Sequence, residues 1–358
     1  TGGLHGMAAA VCAGIIAGDA DKELQVISNV PAEKHAEIKA YMESVDLDIQ
    51  PAYSDLVFDI DLFVYAGEDT VQLRIINHHT NIVVIRKNED RIVDLPICES
   101  SEDHLTDKSC LTIADIVEFA DALDVNDIRE CVGTQIACNM AIAKEGIEGN
   151  WGANVGSVIL RHQAVTAGKK ACAYAAAGSD ARMSGCEKPV MIVSGSGNQG
   201  ITLILTIAAT ASKLGVCEEK MLRAIAFGQA INLYAKHYLG TLSCLCSCSV
   251  AAGLSASAGI VYMMGGDDQQ VLDTMRNVLG SISGMICDGA KEGCASKVCL
   301  STGLSVMSAM MALNGMNTKA DDGILADNLK DLFVNLGNIA NIGMAPANAA
   351  IVDIMLKK

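Results

Sequence analysis

The sequence predicts an α+β protein: a large, mostly all-helical domain with a small α/β domain inserted near its front. Three observations predict it. The first is charge. Residues 19–130 carry 26 of the 42 acidic side chains but only 9 of the 26 basic ones, so an acidic segment precedes a nearly neutral, apolar remainder. The second is period. The apolar pattern follows the helical repeat at the start of the chain, alternates every second residue from about Leu56 to Leu95, and is helical again after Asp107. The third is composition. Of 358 residues, 51% are apolar but only 4% aromatic, and 33 are glycine. Small side chains suit closely packed helices better than a large β-sandwich, and the length suggests two domains.

Each element has its own signal. Residues 1–17 read as a helix with a glycine-rich entry. Pro31 to Val45 opens with proline in the first turn and then Glu33, with apolar positions at Ala36, Ile38, Tyr41 and Met42. Val57 to Val64 alternates, Gly67-Glu68-Asp69 makes a turn, and Val71 to Asn77 forms a second strand. Ile82 to Arg86, a turn at Asn88-Glu89-Asp90, and Arg91 to Leu95 give a third and fourth. Helices are then expected over 111–123, 126–145, 156–177, 199–213, 218–238, 249–264, 268–284, 301–313, 325–337 and 345–356. The expected domains are 1–19 with 106–358, helical and discontinuous, and 20–105, acidic and α/β.

Charge excludes some classes of function. The net charge is −16, whereas a nucleic-acid binder carries a basic face and an anionic membrane surface attracts one. Residues 189–212, 237–266 and 298–317 lack Asp, Glu, Lys and Arg but are rich in Gly, Ser, Asn and Cys. They read as buried helices of a bundle better than as membrane spans. No targeting segment is visible, and the chain opens on Thr1, as a fragment of a longer protein would. Cysteine is abundant, at 14 residues. Without a secretory signal these are expected as free thiols. Cys12, Cys138, Cys172 and Cys217 stand among apolar neighbours and read as small core residues.

Several constellations could carry chemistry. Ser194-Gly195-Ser196-Gly197-Asn198-Gln199-Gly200 follows an apolar run and opens a helix. Amide N–H groups at a helix N-terminus bind anions, and the Walker Lys-Ser/Thr is missing, so a substrate carboxylate fits better than a nucleotide phosphate. A plain capped turn is the competing reading. Cys244, Cys246 and Cys248 form one thiol group, and Cys287 and Cys294 another around an Asp-Gly break. They are either buried free thiols or soft metal ligands whose spacing fits neither a zinc ribbon nor a ferredoxin run. His78-His79-Thr80-Asn81 stands at a strand junction that could face a cleft or be structural. In Ser179-Asp180-Ala181-Arg182, an arginine held by the aspartate could clamp a carboxylate or form a surface ion pair. Glu145 to Gly152 holds Trp151, the only tryptophan, and reads as a packed turn.

Six segments in order resemble the serine dehydratase alpha-chain-like family, which includes L-cysteine desulfidase: HTNIV at 79–83, EGIEGNWG at 145–152, SDARMSG at 179–185, SGSGNQGIT at 194–202, LSCLC at 242–246 and GMICDGAKEGC at 284–294. The resemblance covers nearly the whole chain. It implies a cytoplasmic lyase with a [4Fe–4S] cluster, acting by β-elimination on L-cysteine or L-serine without pyridoxal phosphate. By the same resemblance Cys246, Cys287 and Cys294 fall on the family's cluster cysteines. Ser194, Ser196, Gly197, Asn198, Gln199, His79, Thr80, Asn81 and Arg182 are then the expected substrate-binding residues, and a homodimer is the expected assembly. Family members also begin with a glycine-cysteine-threonine-glutamate-proline segment that would precede Thr1. The base is left open among Lys236, His237, His79 and Lys291. The alternative reading is a non-catalytic amino-acid-binding or sensing protein, and a weaker one a structural zinc site.

Overall fold

A computed structural model describes residues 3–4, 6–28, 30–52, 54, 56, 58–97, 107–162, 164–240 and 242–357. The fold is mostly helical with one small antiparallel sheet. The chain divides into two units, Thr1–Asp107 with Ala349–Lys358, and Lys108–Asn348.

In the first unit, α1 (Met7–Ala17) packs against α2 (Ala32–Ser44) around Cys12, Ala13, Val30 and Ile38. The sheet is a meander of β1 (Asp59–Ala66), β2 (Asp69–Ile76), β3 (Ile82–Lys87) and β4 (Asp90–Asp94), in that spatial order. Period-two alternation and the two turns place all four strands where expected, although Val57, at the expected start of the first, lies outside the described residues. Arg74 grips the Asp59 carboxylate across β1 and β2 with two hydrogen bonds of 3.0 and 2.7 Å.

The boundary differs from the one expected. Residues 7–17 pair with α2 in the first unit instead of joining the helical domain. The helical unit is therefore continuous, and the first unit is the one that gathers both ends of the sequence. The reason is packing: α1 buries Cys12 and Ala13 against Val30 and Ile38, a pairing that no sequence period reveals.

The second unit holds α3 (Ile113–Ala122), α4 (Val125–Glu148), α5 (Val155–His162), α6 (Ala167–Met183), α7 (Gly197–Leu214), α8 (Glu218–Leu239), α9 (Val250–Met263), α10 (Asp268–Ile282), α11 (Cys294–Leu313) and α12 (Leu329–Asn338). A further helix, α13 (Ala345–Leu356), begins in it. Side-chain caps fix several starts. Thr112 with Asp115 and Asp267 with Gln270 form capping boxes, and Thr166 caps α6. That last cap explains why the single helix expected over 156–177 is two: Thr166 turns its hydroxyl to the Lys169 N–H and starts the helix afresh.

The core centres on α9, which is apolar on all sides and packs against α7, α8, α10 and α11. Small residues make this possible. Ser301 on α11 donates to the Ser249 carbonyl at 2.5 Å, and Ser305 to the Gly253 carbonyl at 2.8 Å, so these polar side chains are satisfied between the two helices. Among the described residues one helix, α11, is long and apolar enough to cross a membrane, or two if the bent pair 329–356 counts as one. In α11 those buried serines face α9 rather than lipid.

Candidate active site

The glycine-rich loop is a two-residue hairpin at the start of α7. Val193 and Ser196 exchange backbone hydrogen bonds of 3.2 and 3.1 Å around Ser194 and Gly195, at φ 45° and 79°. Two consecutive positive φ values define a type I′ turn. Glycine adopts this at no steric cost, whereas Ser194 holds it under strain, with its hydroxyl buried and unpartnered. Asn139 on α4 fixes the approach, donating to the Met191 carbonyl at 3.2 Å and accepting from the Met191 N–H at 2.9 Å. Ser196 caps α7 by accepting from the Gln199 N–H at 3.4 Å.

The two amide side chains of the loop are already engaged. Asn198 accepts from Arg182 Nη1 at 3.2 Å and donates to Ser179 Oγ at 3.2 Å. Gln199 donates to the Ser194 carbonyl and accepts from Asn232 on α8, both at 3.5 Å. A side chain at Gly197 would place its Cβ 2.5 Å from Arg182 Nε, so the guanidinium lies flat on the first turn of α7. Arg182 and the free N–H groups of that turn thus present positive potential together.

Asp180 does not hold Arg182 as the sequence suggested. It is fully buried, and its oxygens face the Ala153, Val155 and Gly156 N–H groups at the entry to α5 without closing a well-aligned hydrogen bond. Burial pushes its carboxyl up to about 6 against those amides, and Glu292 adds to the rise. The SDARMSG segment thereby packs on the Trp151-Gly152 turn, where Trp151 Nε1 donates to Glu145 at 3.2 Å.

The thiols come together through a short ladder. Leu245 bridges Ile286, the Cys246 N–H donates to the Met285 carbonyl at 2.9 Å, and the Cys287 N–H to the Cys244 carbonyl at 2.7 Å. Asp288 pairs with Lys291 and, at 2.5 Å, with Lys297, which also donates to the Ile286 carbonyl at 2.8 Å. These contacts staple the 284–293 loop onto α11, whose first residue is Cys294. Cys246 Sγ lies 3.3 Å from Cys248 Sγ and 3.5 Å from Ser249 Oγ. The Cys248 hydrogen bond makes Cys246 the acidic member of that pair, against the cost of burial and with help from Lys297. Burial raises the Cys287 thiol, and Cys246 and Cys294 raise it further. Cys244 is turned elsewhere, donating to the Met344 carbonyl at 3.1 Å.

Arg182 joins the two halves. Burial lowers its pKa, and the nearby Cys248 and Cys294 thiols oppose that shift. Lys297 plays the same part for Cys246 and Cys287. Four thiols and two cations therefore share one neighbourhood beside the glycine-rich loop. Among the described residues no three Cys, His, Asp or Glu side chains are already set as a closed metal cage. The donor chemistry is nonetheless all thiol, which suits an iron–sulfur cluster better than a hard cation.

His79, Thr80 and Asn81 belong to the first unit, in the β2–β3 turn. The His79 ring stands 5.0 Å from the Phe58 ring, and Asn81 Nδ2 donates to the Ile76 carbonyl at 3.0 Å. Three site residues have no sequence motif of their own: Asn232, Lys236 and Lys297. Lys236 is 9% exposed, and its Nζ donates to Ser247 Oγ at 3.3 Å.

The serine dehydratase alpha chain family model matches residues 6–353. Among curated relatives, a UPF0597 protein of Desulfitobacterium hafniense is 40% identical over all of this chain and 83% of its own length. A UPF0597 protein of Lachnoclostridium phytofermentans is 36% identical over 99% of this chain and 85% of its own. One of Fusobacterium nucleatum is 35% identical over 99% and 84%.

Proposed function

This chain belongs to the serine dehydratase alpha chain family, and from that premise we propose that it is an iron–sulfur-dependent lyase. Its substrate is a small L-amino acid. L-Cysteine would give pyruvate, ammonia and sulfide, and L-serine pyruvate and ammonia. The observation that carries the reading is the position of Arg182, hydrogen-bonded to Asn198 of the anion loop and within electrostatic reach of Cys248 and Cys294. An arginine that neighbours both the loop and the thiols suits an amino acid bound at both ends.

In this reading Cys246, Cys287 and Cys294 hold a [4Fe–4S] cluster, which when bound supplies a Lewis acid for the leaving hydroxyl or thiol. The chain's own groups do the rest. The α7 N-terminus and Arg182 bind the substrate carboxylate, and the Ser194–Gly195 turn sets the amide N–H groups that face it. Asn198 aims the guanidinium, and Gln199 ties the turn to α8. Lys297 and Arg182 offset the negative charge of gathered thiolates. The aminoacrylate released hydrolyses to pyruvate and ammonia. The setting proposed with this function is a cytoplasmic homodimer.

The test is anaerobic reconstitution with iron and sulfide, followed by pyruvate and sulfide assays on L-serine and L-cysteine. Iron uptake with pyruvate formation from either substrate supports the reading. Tight binding of these amino acids without iron or turnover would replace it with a sensing role.

A further inference from the structure

α8 touches both ends of the proposed pocket with one face. Asn232 and Lys236 are one helical turn apart and so project the same way. Asn232 Nδ2 reaches Gln199 of the anion loop at 3.5 Å and Ser255 Oγ at 3.4 Å. Lys236 Nζ reaches Ser247, the residue between Cys246 and Cys248, at 3.3 Å. An amino acid with its carboxylate on the loop and its β-substituent at the thiols would present its Cα along this face.

Of the other basic side chains suggested by type, Lys291 pairs with Asp288 in the thiol loop, as Lys297 does. His237 packs its ring edge-on to Tyr238 at 5.0 Å. His79 stands against Phe58 in the first unit.

We propose that Lys236 is the catalytic base that removes the substrate α-proton. The inference rests on the lyase reading and deepens it. In the step, the neutral Nζ takes the proton from Cα, and the C–H electron pair becomes the Cα=Cβ bond. The Cβ–S or Cβ–O bond breaks, and the leaving group departs with the electrons of its own bond, as hydrosulfide or hydroxide, while Nζ keeps the α-proton. Burial suits the role, since desolvation holds the Lys236 ammonium down at about 8 and leaves a working fraction neutral near pH 7.5.

The test uses reconstituted full-length protein and two variants, Lys236→Ala and Lys236→Arg. Arginine keeps the charge and the length but stays protonated. Iron content and absorbance near 400 nm report loading, and steady-state rates are taken with L-cysteine and L-serine. Both variants should load iron as the parent does and lose roughly 100-fold or more in kcat, with KM changed by less than about 3-fold. Methylamine should restore part of the rate in Lys236→Ala, which a structural lysine would not allow. An iron-loaded Lys236→Arg variant with near-parental kcat overturns the assignment and leaves the lyase reading standing. A loaded parent protein that turns over neither amino acid overturns both.

Discussion

Arg182 lies across the first turn of α7 and donates from Nη1 to Asn198 Oδ1 at 3.2 Å. The pair ties the helix that carries SDARMSG to the loop that carries SGSGNQG, and fixes one cation between that loop and a group of thiols. Asn198→Ala removes a hydrogen bond to a charged group, worth roughly 1.5–3 kcal/mol. Turnover should fall by about 10-fold or more in kcat/KM, mainly through KM. Unchanged kinetics would leave the loop as a capped turn.

Gly197→Ala tests the same contact from the other side. Alanine favours the helix by up to about 1 kcal/mol. Its Cβ, however, would stand 2.5 Å from Arg182 Nε, so the guanidinium must move. The variant should lose substrate affinity and at most about 2 kcal/mol of stability to urea, because the helix gain offsets part of the lost Asn198 contact. Parental affinity would show that Arg182 does not bind substrate from this position.

Lys297→Met removes the ion pair with Asp288 and the anchor on the Ile286 carbonyl. Both hold the 284–293 loop to α11, and the cation also stabilises the neighbouring thiolates. The reconstituted variant should lose its absorbance near 400 nm to a chelator about 10-fold faster than the parent, from hydrogen bonds of roughly 1.5–3 kcal/mol. Equal rates would mean that the staple does not support the ligand loop.

Asp180 gives a pH signature. Its folded carboxyl titrates near 6, above the ordinary 3.8. Between those values the folded protein holds a proton that the unfolded chain releases, so this group's stabilising contribution falls as pH rises through about 4 to 6. Asp180→Asn removes that loss. The stability difference between variant and parent should move in the variant's favour by about 2 kcal/mol from pH 4 to pH 7, read from urea midpoints. A difference independent of pH would show that the Ala153, Val155 and Gly156 amides fully compensate the buried charge.

Cys172 Sγ on α6 donates to the Cys299 carbonyl on α11 at 3.4 Å. The neighbouring Cys299 side chain and burial raise the Cys172 thiol, and Cys172 in turn lowers that of half-buried Cys299. Iodoacetamide at pH 7.5 should therefore modify Cys299 well before Cys172, as read by peptide mass spectrometry. Equal labelling would show that the two thiols do not influence each other.

The strands were legible because Ile60, Leu62 and Val64 alternate with polar or opposite-facing neighbours and because Asn88-Glu89-Asp90 is a strong turn. The helices were legible from their period and caps. The unit boundary was not, because the docking of α1 onto α2 depends on Cys12 and Ile38, 26 positions apart, meeting in space. In the site, the loop and the clustered cysteines announce themselves as runs of unusual residues. Arg182 was legible as a cation, but its partner was not: the nearby Asp180 turns to backbone amides, and Asn198 of another helix takes its place. Lys236 and Asn232 sit in an ordinary helical pattern and acquire meaning only when α8 lies between the two loops.

The most direct measurement is the iron and pyruvate balance of the anaerobically reconstituted chain beside its Cys287→Ala variant. The parent should bind about four iron and four sulfide per chain, absorb near 400 nm and form pyruvate from L-cysteine or L-serine, while the variant should lose the cluster and the activity together. Pyruvate formation by Cys287→Ala at the parental rate, or by the parent stripped of iron, would contradict the account.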